Sequence, residues 1–358
     1  MSEVTINGEK YASIEEYLES IKPLPEGAGK RFSKTKEYND GTKTAWIPAG
    51  FTVSGIRSET KVDGGLVIYD IPEDEIENVK WDGTEKTKYN QFVWIPVEVN
   101  KSTDTETNIA SFKRSVWQDN ARVVDNTQSS TSFPSSSIAS DAWSNYTEPS
   151  TTNDTDDKTG IASQIENLIK SIYKYGGFYF ARYEAGSTLE RTNRSRDVKS
   201  PIGIKQDMYP YNYVKWGEST SNIGTIGAVY LSNNLYNSSD YGVTSMLCTG
   251  ACWDSMLDFI KDEEHNVTNS VSWGNYIDAG FEITRGKLAL GTRGSFTEVE
   301  GTHKKEPDSE FILLTTGATE KNSAKNIYDV AGNCWEWTTE SSSSSRVERG
   351  RLLCLGRY

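Results

Sequence analysis

The chain has 358 residues, a formal net charge of −13 at pH 7 and an isoelectric point near 4.9. An acidic chain of this kind is not expected to bind nucleic acid, because phosphates need a basic surface. Hydrophobic residues are 35% of the chain, with 19 tyrosines and 10 tryptophans, a balance typical of a loop-rich fold whose small sheets are held together by aromatic side chains.

The N-terminus does not resemble an export signal. Residues 1–10 have no basic region followed by an apolar core, and no apolar run reaches the length of a membrane-spanning helix. We therefore expect a protein without a signal peptide or transmembrane segment that is cytoplasmic as synthesised. A phage particle and the cell surface are left open as later locations.

Residues 13–22 predict a short amphipathic helix. They begin with a capping box, from Ser13 to Glu16, and continue with apolar side chains at helical spacing. The sequence leaves open whether this helix packs on its own domain or on a neighbouring subunit. A polar segment follows, so residues 1–40 form an N-terminal helix and linker.

From residue 43 the pattern becomes that of short strands. Apolar runs bounded by glycine or proline predict strands at 45–48, 51–53, 66–71 and 91–97. We assign residues 41–123 to a β-rich N-terminal region. The next stretch, residues 124–160, is rich in serine, threonine, asparagine and aspartate, which indicates a long surface loop.

The second half of the chain combines helices with an aromatic strand. Helical spacing of apolar residues predicts helices at 161–175 and 252–260. Residues 178–185 predict an aromatic strand. Two tryptophans on this part of the chain, Trp216 and Trp253, are candidate structural anchors.

The most distinctive segment is residues 326–338, Asn-Ile-Tyr-Asp-Val-Ala-Gly-Asn-Cys-Trp-Glu-Trp-Thr. Gly332 favours a tight turn because it adopts positive φ without strain. In a strand after the turn, Trp335 and Trp337 would share one face and Glu336 would point to the other. We expect a core turn anchored by Gly332 and both tryptophans, with Glu336 capping backbone amides.

Residues 328–338 resemble the Tyr-Asp-Met-Ala-Gly-Asn-Val-Trp-Glu-Trp-Thr core of the formylglycine-generating-enzyme, or sulfatase-modifying-factor, domain, with Cys334 in the variable position. The resemblance covers about residues 177–350, and Trp253 takes the family's tryptophan position in a helix. It implies an α+β fold of the C-type-lectin type, loop-rich with small antiparallel sheets and two or more helices. This domain would span residues 161–358, preceded by the small β-rich extension.

The metal centres of the family's enzymes need residues that this sequence lacks. The oxidases bind copper through two cysteines near the C-terminus, and here only Cys354 follows the motif. The related sulfoxide synthases use three histidines, and this chain has two, His265 and His303. Cys248 and Cys252 are spaced to meet on a helix, but we expect them to be buried small apolar residues. We therefore predict no catalytic residue.

Calcium is the one cofactor that the resemblance suggests. Members of the family can bind calcium at a turn of this kind. The candidate ligands here are Asn333, Glu336 and the backbone carbonyls of the turn, because calcium prefers oxygen ligands.

The C-terminus departs from the family after Gly350. Relatives continue through Arg-Val-x-Arg-Gly-Gly-Ser for several tens of residues, whereas this chain ends in Arg-Leu-Leu-Cys-Leu-Gly-Arg-Tyr. We expect a domain truncated by a frameshift or an early stop. Its candidate ligand-facing side chains are Arg346, Arg349, Arg351 and Tyr358.

Non-catalytic proteins diversified by retroelements of phages and gut bacteria use this fold to display a variable surface. The resemblance therefore implies a non-enzymatic display protein whose partner is a cell-surface protein or glycan. The alternative is a metal-dependent oxidase of the formylglycine-generating type that acts on cysteine or a small thiol. The oligomeric state is left open.

Overall fold

The computed structural model describes residues 4–6, 9–124, 160–190, 201–217, 224–236, 241–291, 295–308, 311–341 and 346–349. These residues form a mixed α+β fold, rich in small antiparallel sheets. They include four α-helices: α1 (Ile14–Ile21), α2 (Ile161–Tyr175), α3 (Ala228–Asn233) and α4 (Gly250–Ile260). The α+β class is as predicted.

The described strands are short and lie in small sheets. In chain order they are β1 (Val4–Ile6), β2 (Glu9–Tyr11), β3 (Lys36–Asn39), β4 (Thr44–Ile47), β5 (Thr52–Val53), β6 (Val67–Tyr69), β7 (Gln91–Pro96), β8 (Ser115–Gln118), β9 (Ala121–Val124), β10 (Gly177–Ala181), β11 (Gly186–Ser187), β12 (Tyr209–Pro210), β13 (Phe281–Ile283), β14 (Lys287–Leu290), β15 (Thr297–Glu298), β16 (His303–Lys305), β17 (Ile312–Leu314), β18 (Ser323–Ala324), β19 (Ile327–Tyr328), β20 (Glu336–Ser341) and β21 (Arg346–Arg349). Single 3₁₀ turns lie at Arg57–Glu59, Ile76–Asn78, Thr84–Thr87, Ser270–Ser272 and Glu320–Asn322.

The largest described sheet has four strands in the order β10-β7-β6-β5. Its central strand β7 pairs with β6 through Val93 and Val67, and with β10 through Ile95 and Phe178. Pro96 ends β7, where its missing N–H costs no ladder hydrogen bond. Because β7 precedes the predicted loop and β10 follows it, this sheet joins the regions on both sides of residues 124–160.

The sheet separates two apolar cores. Alternate residues of β7 face opposite sides, so Val93 and Ile95 enter the main core while Trp94 enters a smaller one. The main core is covered by α2 and α4, and the smaller core by β4 and Tyr236.

The helix boundaries follow local signals. Helix α2 ends at Gly176, whose φ of 74° suits a C-terminal cap. Helix α4 begins after Thr249, whose side chain accepts the Cys252 amide. The predicted helices at 161–175 and 252–260 are confirmed. The described helices include none long and apolar enough to cross a bilayer.

Candidate functional site

The turn predicted at Gly332 is held against a second loop. Gly332 has a φ of 85°, and a Cβ built on it would lie 2.3 Å from the Asn275 carbonyl oxygen. The Asn275 amide donates to the Ala331 carbonyl at 2.8 Å. The close backbone approach and the positive φ together require glycine here.

The side-chain amide of Asn333 ties the turn to the interior. Its Oδ1 accepts from the Leu314 amide at 2.9 Å and from Asn275 Nδ2 at 3.1 Å. Its Nδ2 donates to Glu184 Oε2 at 2.7 Å and to the Leu314 carbonyl at 3.2 Å. Both ends of this buried amide are therefore used within the protein.

Three carboxyl groups meet beneath the turn: Glu184, Asp329 and Glu336, which we call the carboxyl cluster. Glu184 accepts from the Cys334 amide at 3.1 Å and shares a hydrogen bond with the Glu336 carboxyl. Asp329 is buried and accepts the Gly317 amide at 2.6 Å. Among the described residues, Asp329 Oδ1 and Glu336 Oε2 have no hydrogen-bond partner.

The environment of the carboxyl cluster favours the protonated form of each of its three carboxyl groups. Burial, followed by the nearby Asp329 charge, raises the pKa of Glu184 well above its usual range. Burial and the neighbouring Glu184 do the same to the pKa of Glu336. Burial also raises the pKa of Asp329 to about 7, against the opposing effects of the Gly317 amide and Arg285. A proton on Glu336 lets it donate to Glu184, which relieves the repulsion between the two carboxyl groups.

The thiol of Cys334 lies in the same environment. Burial raises its pKa well above the usual value, and the carboxyl groups of Glu184, Glu336 and Asp329 raise it further. A thiol in such surroundings stays protonated, whereas nucleophilic and copper-binding cysteines need the thiolate. Cys334, which is half-buried, therefore behaves as a small protonated side chain.

Asn333 and Glu336 do not fit a calcium site in this arrangement. The Asn333 oxygen already accepts two protein donors, and Glu336 shares a hydrogen bond with Glu184, which leaves only its Oε2 without a partner among the described residues. Calcium needs six to eight oxygen ligands. Within the part of the chain that the structure describes, no three His, Cys, Asp or Glu side chains are arranged to hold a metal ion.

Trp335 is a correction to the sequence prediction, because its side chain is 45% exposed. Strand β20 begins only at Glu336. Cys334 and Glu336 both turn into the carboxyl cluster, so the residue between them faces outward. Trp337 is half-buried and donates from Nε1 to the Val214 carbonyl at 2.9 Å. The two tryptophans therefore do not anchor the turn together, as had been expected.

The other predicted anchors lie inside the protein. Trp216 and Trp253 are buried in the main core. Trp216 also donates from Nε1 to the Thr338 carbonyl of β20 at 2.9 Å, which holds this strand in place.

The hairpin of β20 and β21 is joined to the protein body by a buried ionic network of Arg114, Asp254, Glu340 and Arg349. Glu340 accepts from Arg114 Nε at 2.5 Å and from Arg349 Nε at 2.9 Å. Arg114 also pairs with Asp254 of α4. Burial alone would raise the pKa of Glu340, but the two guanidinium groups outweigh burial and lower it.

The network corrects the prediction for Arg349. Its guanidinium, predicted to face a ligand, pairs with Glu340 within the protein. Arg346 lies in β21, but its side chain falls outside the described residues, as do Arg351 and Tyr358. Their predicted roles stay predictions.

The sequence analysis did not identify Glu184 as the residue that hydrogen-bonds to the turn. It lies 149 positions before Asn333, so no local spacing connects them. The available signal was its position near the end of the predicted aromatic strand at residues 178–185. His265 lies elsewhere, with Nδ1 2.8 Å from Asp262 Oδ1. Cys248 and Cys252 do not form a disulfide; Cys248 is half-buried and Cys252 is buried.

No protein-family model, curated protein or solved structure matches the chain. The function is therefore inferred from the geometry of the turn and its surroundings. That geometry combines a fixed backbone, a group of carboxyl side chains with raised pKa values, and an exposed indole ring.

Proposed function

We propose that this chain is a non-enzymatic ligand-binding protein on a C-type-lectin-like scaffold of the sulfatase-modifying-factor type, similar to the retroelement-diversified proteins of phages and gut bacteria. Its ligand would be a cell-surface protein or glycan. The observation that carries the proposal is the exposed Trp335 on a turn whose backbone is fixed from beneath.

The rigidity of the turn favours binding through Trp335. Gly332 contacts Asn275 at backbone distance, and Asn333 uses its whole amide to hold the same turn. An aromatic side chain on a fixed backbone loses little conformational entropy when it binds. An indole ring also offers a broad apolar face and an N–H donor, which suits both protein surfaces and the C–H faces of sugars.

The surroundings of Cys334 favour a ligand-binding function over an oxidase function. Oxidase chemistry on this fold needs thiolates, and the surroundings of Cys334 raise its thiol pKa. The carboxyl groups of Glu184 and Glu336 are bonded to each other and to the turn, so they stabilise its shape.

The test is binding of the purified chain to printed arrays of bacterial surface glycans and to intact gut bacteria. Trp335→Ala should weaken binding about 30-fold, the effect of losing a central aromatic contact worth about 2 kcal/mol. Leu290→Ala is the matched control, since Leu290 is 50% exposed on a different strand. Equal binding by wild type and Trp335→Ala would contradict the proposal.

The oxidase alternative is tested separately. The purified chain is analysed for bound metal and assayed for oxidation of a cysteine-containing peptide. We expect neither stoichiometric copper nor turnover. Copper at one equivalent together with peptide oxidation would overturn the binding proposal.

A further inference from the structure

Lys305, the last residue of β16, is a lysine that is only 1% exposed. Its ammonium group donates to the backbone carbonyls of Tyr276 at 2.6 Å, Ile277 at 3.2 Å and Ala279. The ring of Phe281 lies 5.6 Å from the same nitrogen. Three carbonyl acceptors need three N–H donors, which an ammonium group has and a neutral amine lacks. The arrangement therefore requires the charged form of this lysine.

Backbone carbonyls take the place of a counterion at this buried charge. The neighbouring Lys304 pairs with Glu306, whereas Lys305 has no ion pair among the described residues. Burial lowers the pKa of Lys305, and the charges of Asp278 and Asp308 oppose that shift. A buried charge is costly unless its hydrogen bonds are satisfied. Here the converging carbonyls satisfy them, as they do where protein loops bind a small cation.

The loop that closes around the ammonium group, residues 275–279, also holds the turn that carries Trp335. Asn275 donates from its backbone amide to the Ala331 carbonyl at 2.8 Å and accepts the Asn333 amide at 3.3 Å. Its side chain donates to Asn333 Oδ1 at 3.1 Å. Because the first carbonyl bound to the ammonium group belongs to the very next residue, a change in the loop would be passed on to the turn.

We propose that Lys305 is a positioning residue for the binding site at Trp335, whose ammonium group closes the 275–279 loop as a built-in cation. Without this group the three carbonyl oxygens would converge with no donor between them, and the loop would open. A small primary ammonium ion from solution would then fit the same place. The role of Lys305 in ligand binding rests on the proposed function, whereas its effect on the turn needs no ligand.

Chemical rescue of Lys305→Ala tests this role. The substitution removes three methylene groups and the ammonium group, which together have the shape of the n-propylammonium ion. The chain is labelled with 5-fluorotryptophan, and the ¹⁹F signal of Trp335 is identified by its loss in Trp335→Phe. We expect this signal to move away from its wild-type position in Lys305→Ala and to return when n-propylammonium is added. The uncharged 1-propanol, which has nearly the same shape, should not restore it.

Two further variants separate the charge from packing. Lys304→Ala is the matched control, because Lys304 is adjacent and exposed, and it should leave the Trp335 signal unchanged with or without the amine. Lys305→Met keeps most of the apolar stem and loses the charge, so it should displace the signal and show no rescue. Far-UV circular dichroism verifies that each variant is folded.

The ¹⁹F signal of Trp335 decides the proposal. An unchanged signal in both Lys305 variants, or equal rescue by 1-propanol, would overturn it. So would a Lys305→Ala chain that stays unfolded in n-propylammonium, because the ammonium ion would then not replace the side chain.

Ligand binding is measured separately on the glycan arrays and bacteria. Lys305→Ala should weaken binding about tenfold, the cost of ordering a turn that is no longer preorganised, and n-propylammonium should restore it. A wild type that binds nothing would refute the proposed function alone, because the Trp335 signal still decides the role of Lys305.

Discussion

Replacing Asp329 with asparagine should make the protein more stable at pH 8 and should stabilise it less at pH 5. Asp329 is 1% exposed and accepts the Gly317 amide at 2.6 Å. Asparagine has the same shape, keeps an oxygen for that amide and carries no charge. The substitution therefore removes the titration and leaves the packing in place.

The magnitude follows from proton linkage. The pKa of Asp329 rises from 3.8 to about 7 on folding, so the folded state binds more protons than the unfolded state between these values. Stability from this group is fully present below pH 4 and is lost as the pH rises towards 7. A shift of about three units corresponds to about 4 kcal/mol. The carboxyl cluster titrates as one coupled set, and we expect Asp329→Asn to recover about 2–4 kcal/mol at pH 8.

The assay is urea unfolding at pH 5 and pH 8, followed by tryptophan fluorescence. The measured quantity is the difference between the unfolding free energies at the two pH values. Asp74→Asn, an exposed aspartate, should leave that difference as in wild type. If Asp329→Asn loses as much stability between pH 5 and pH 8 as the wild type does, the reasoning about the cluster is refuted.

Two further predictions concern stability and are measured by urea unfolding. Gly332→Ala should lower the free energy of unfolding by about 3 kcal/mol or more, because its Cβ would collide with the Asn275 carbonyl. Gly301→Ala is the control, because open space surrounds Gly301, and should lower it by about 1 kcal/mol. Equal losses would argue against a close-packed turn. Glu340→Gln should cost about 3 kcal/mol at pH 7, because it removes the buried charge that Arg349 pairs with and leaves Arg114 with Asp254 alone. Glu306→Gln at the surface should change stability by less than about 1 kcal/mol. Since the pKa of Glu340 is lowered, its contribution should fade as the pH falls below 4.5. A Glu340→Gln cost as large at pH 3 as at pH 7 would contradict this.

The elements that could be predicted are those specified locally. Helix α2 matches residues 161–175 because a regular apolar stripe ends at Gly176, and β7 matches an unbroken apolar run. Gly332 was predicted to turn because glycine alone adopts positive φ freely. In each case the determining residues lie within a few positions of one another.

The errors come from interactions between distant residues. Trp335 was placed in a strand with Trp337, but Cys334 and Glu336 are drawn inward by Glu184, and the strand begins one residue later. Arg349 was predicted to face a ligand because the sequence does not show that it pairs with Glu340. Glu340 belongs to a buried network that also includes the distant Arg114. Spacing along the chain does not reveal either contact.

The ion pair of Arg114 and Glu340 joins positions 226 residues apart. At a synthesis rate of about 5–20 residues per second, Glu340 leaves the ribosome roughly 10–45 s after Arg114. During that interval Arg114 is part of the nascent chain, but its partner Glu340 has not yet been synthesised. The hairpin of β20 and β21 can therefore be joined to Arg114 only after residue 340 has been synthesised.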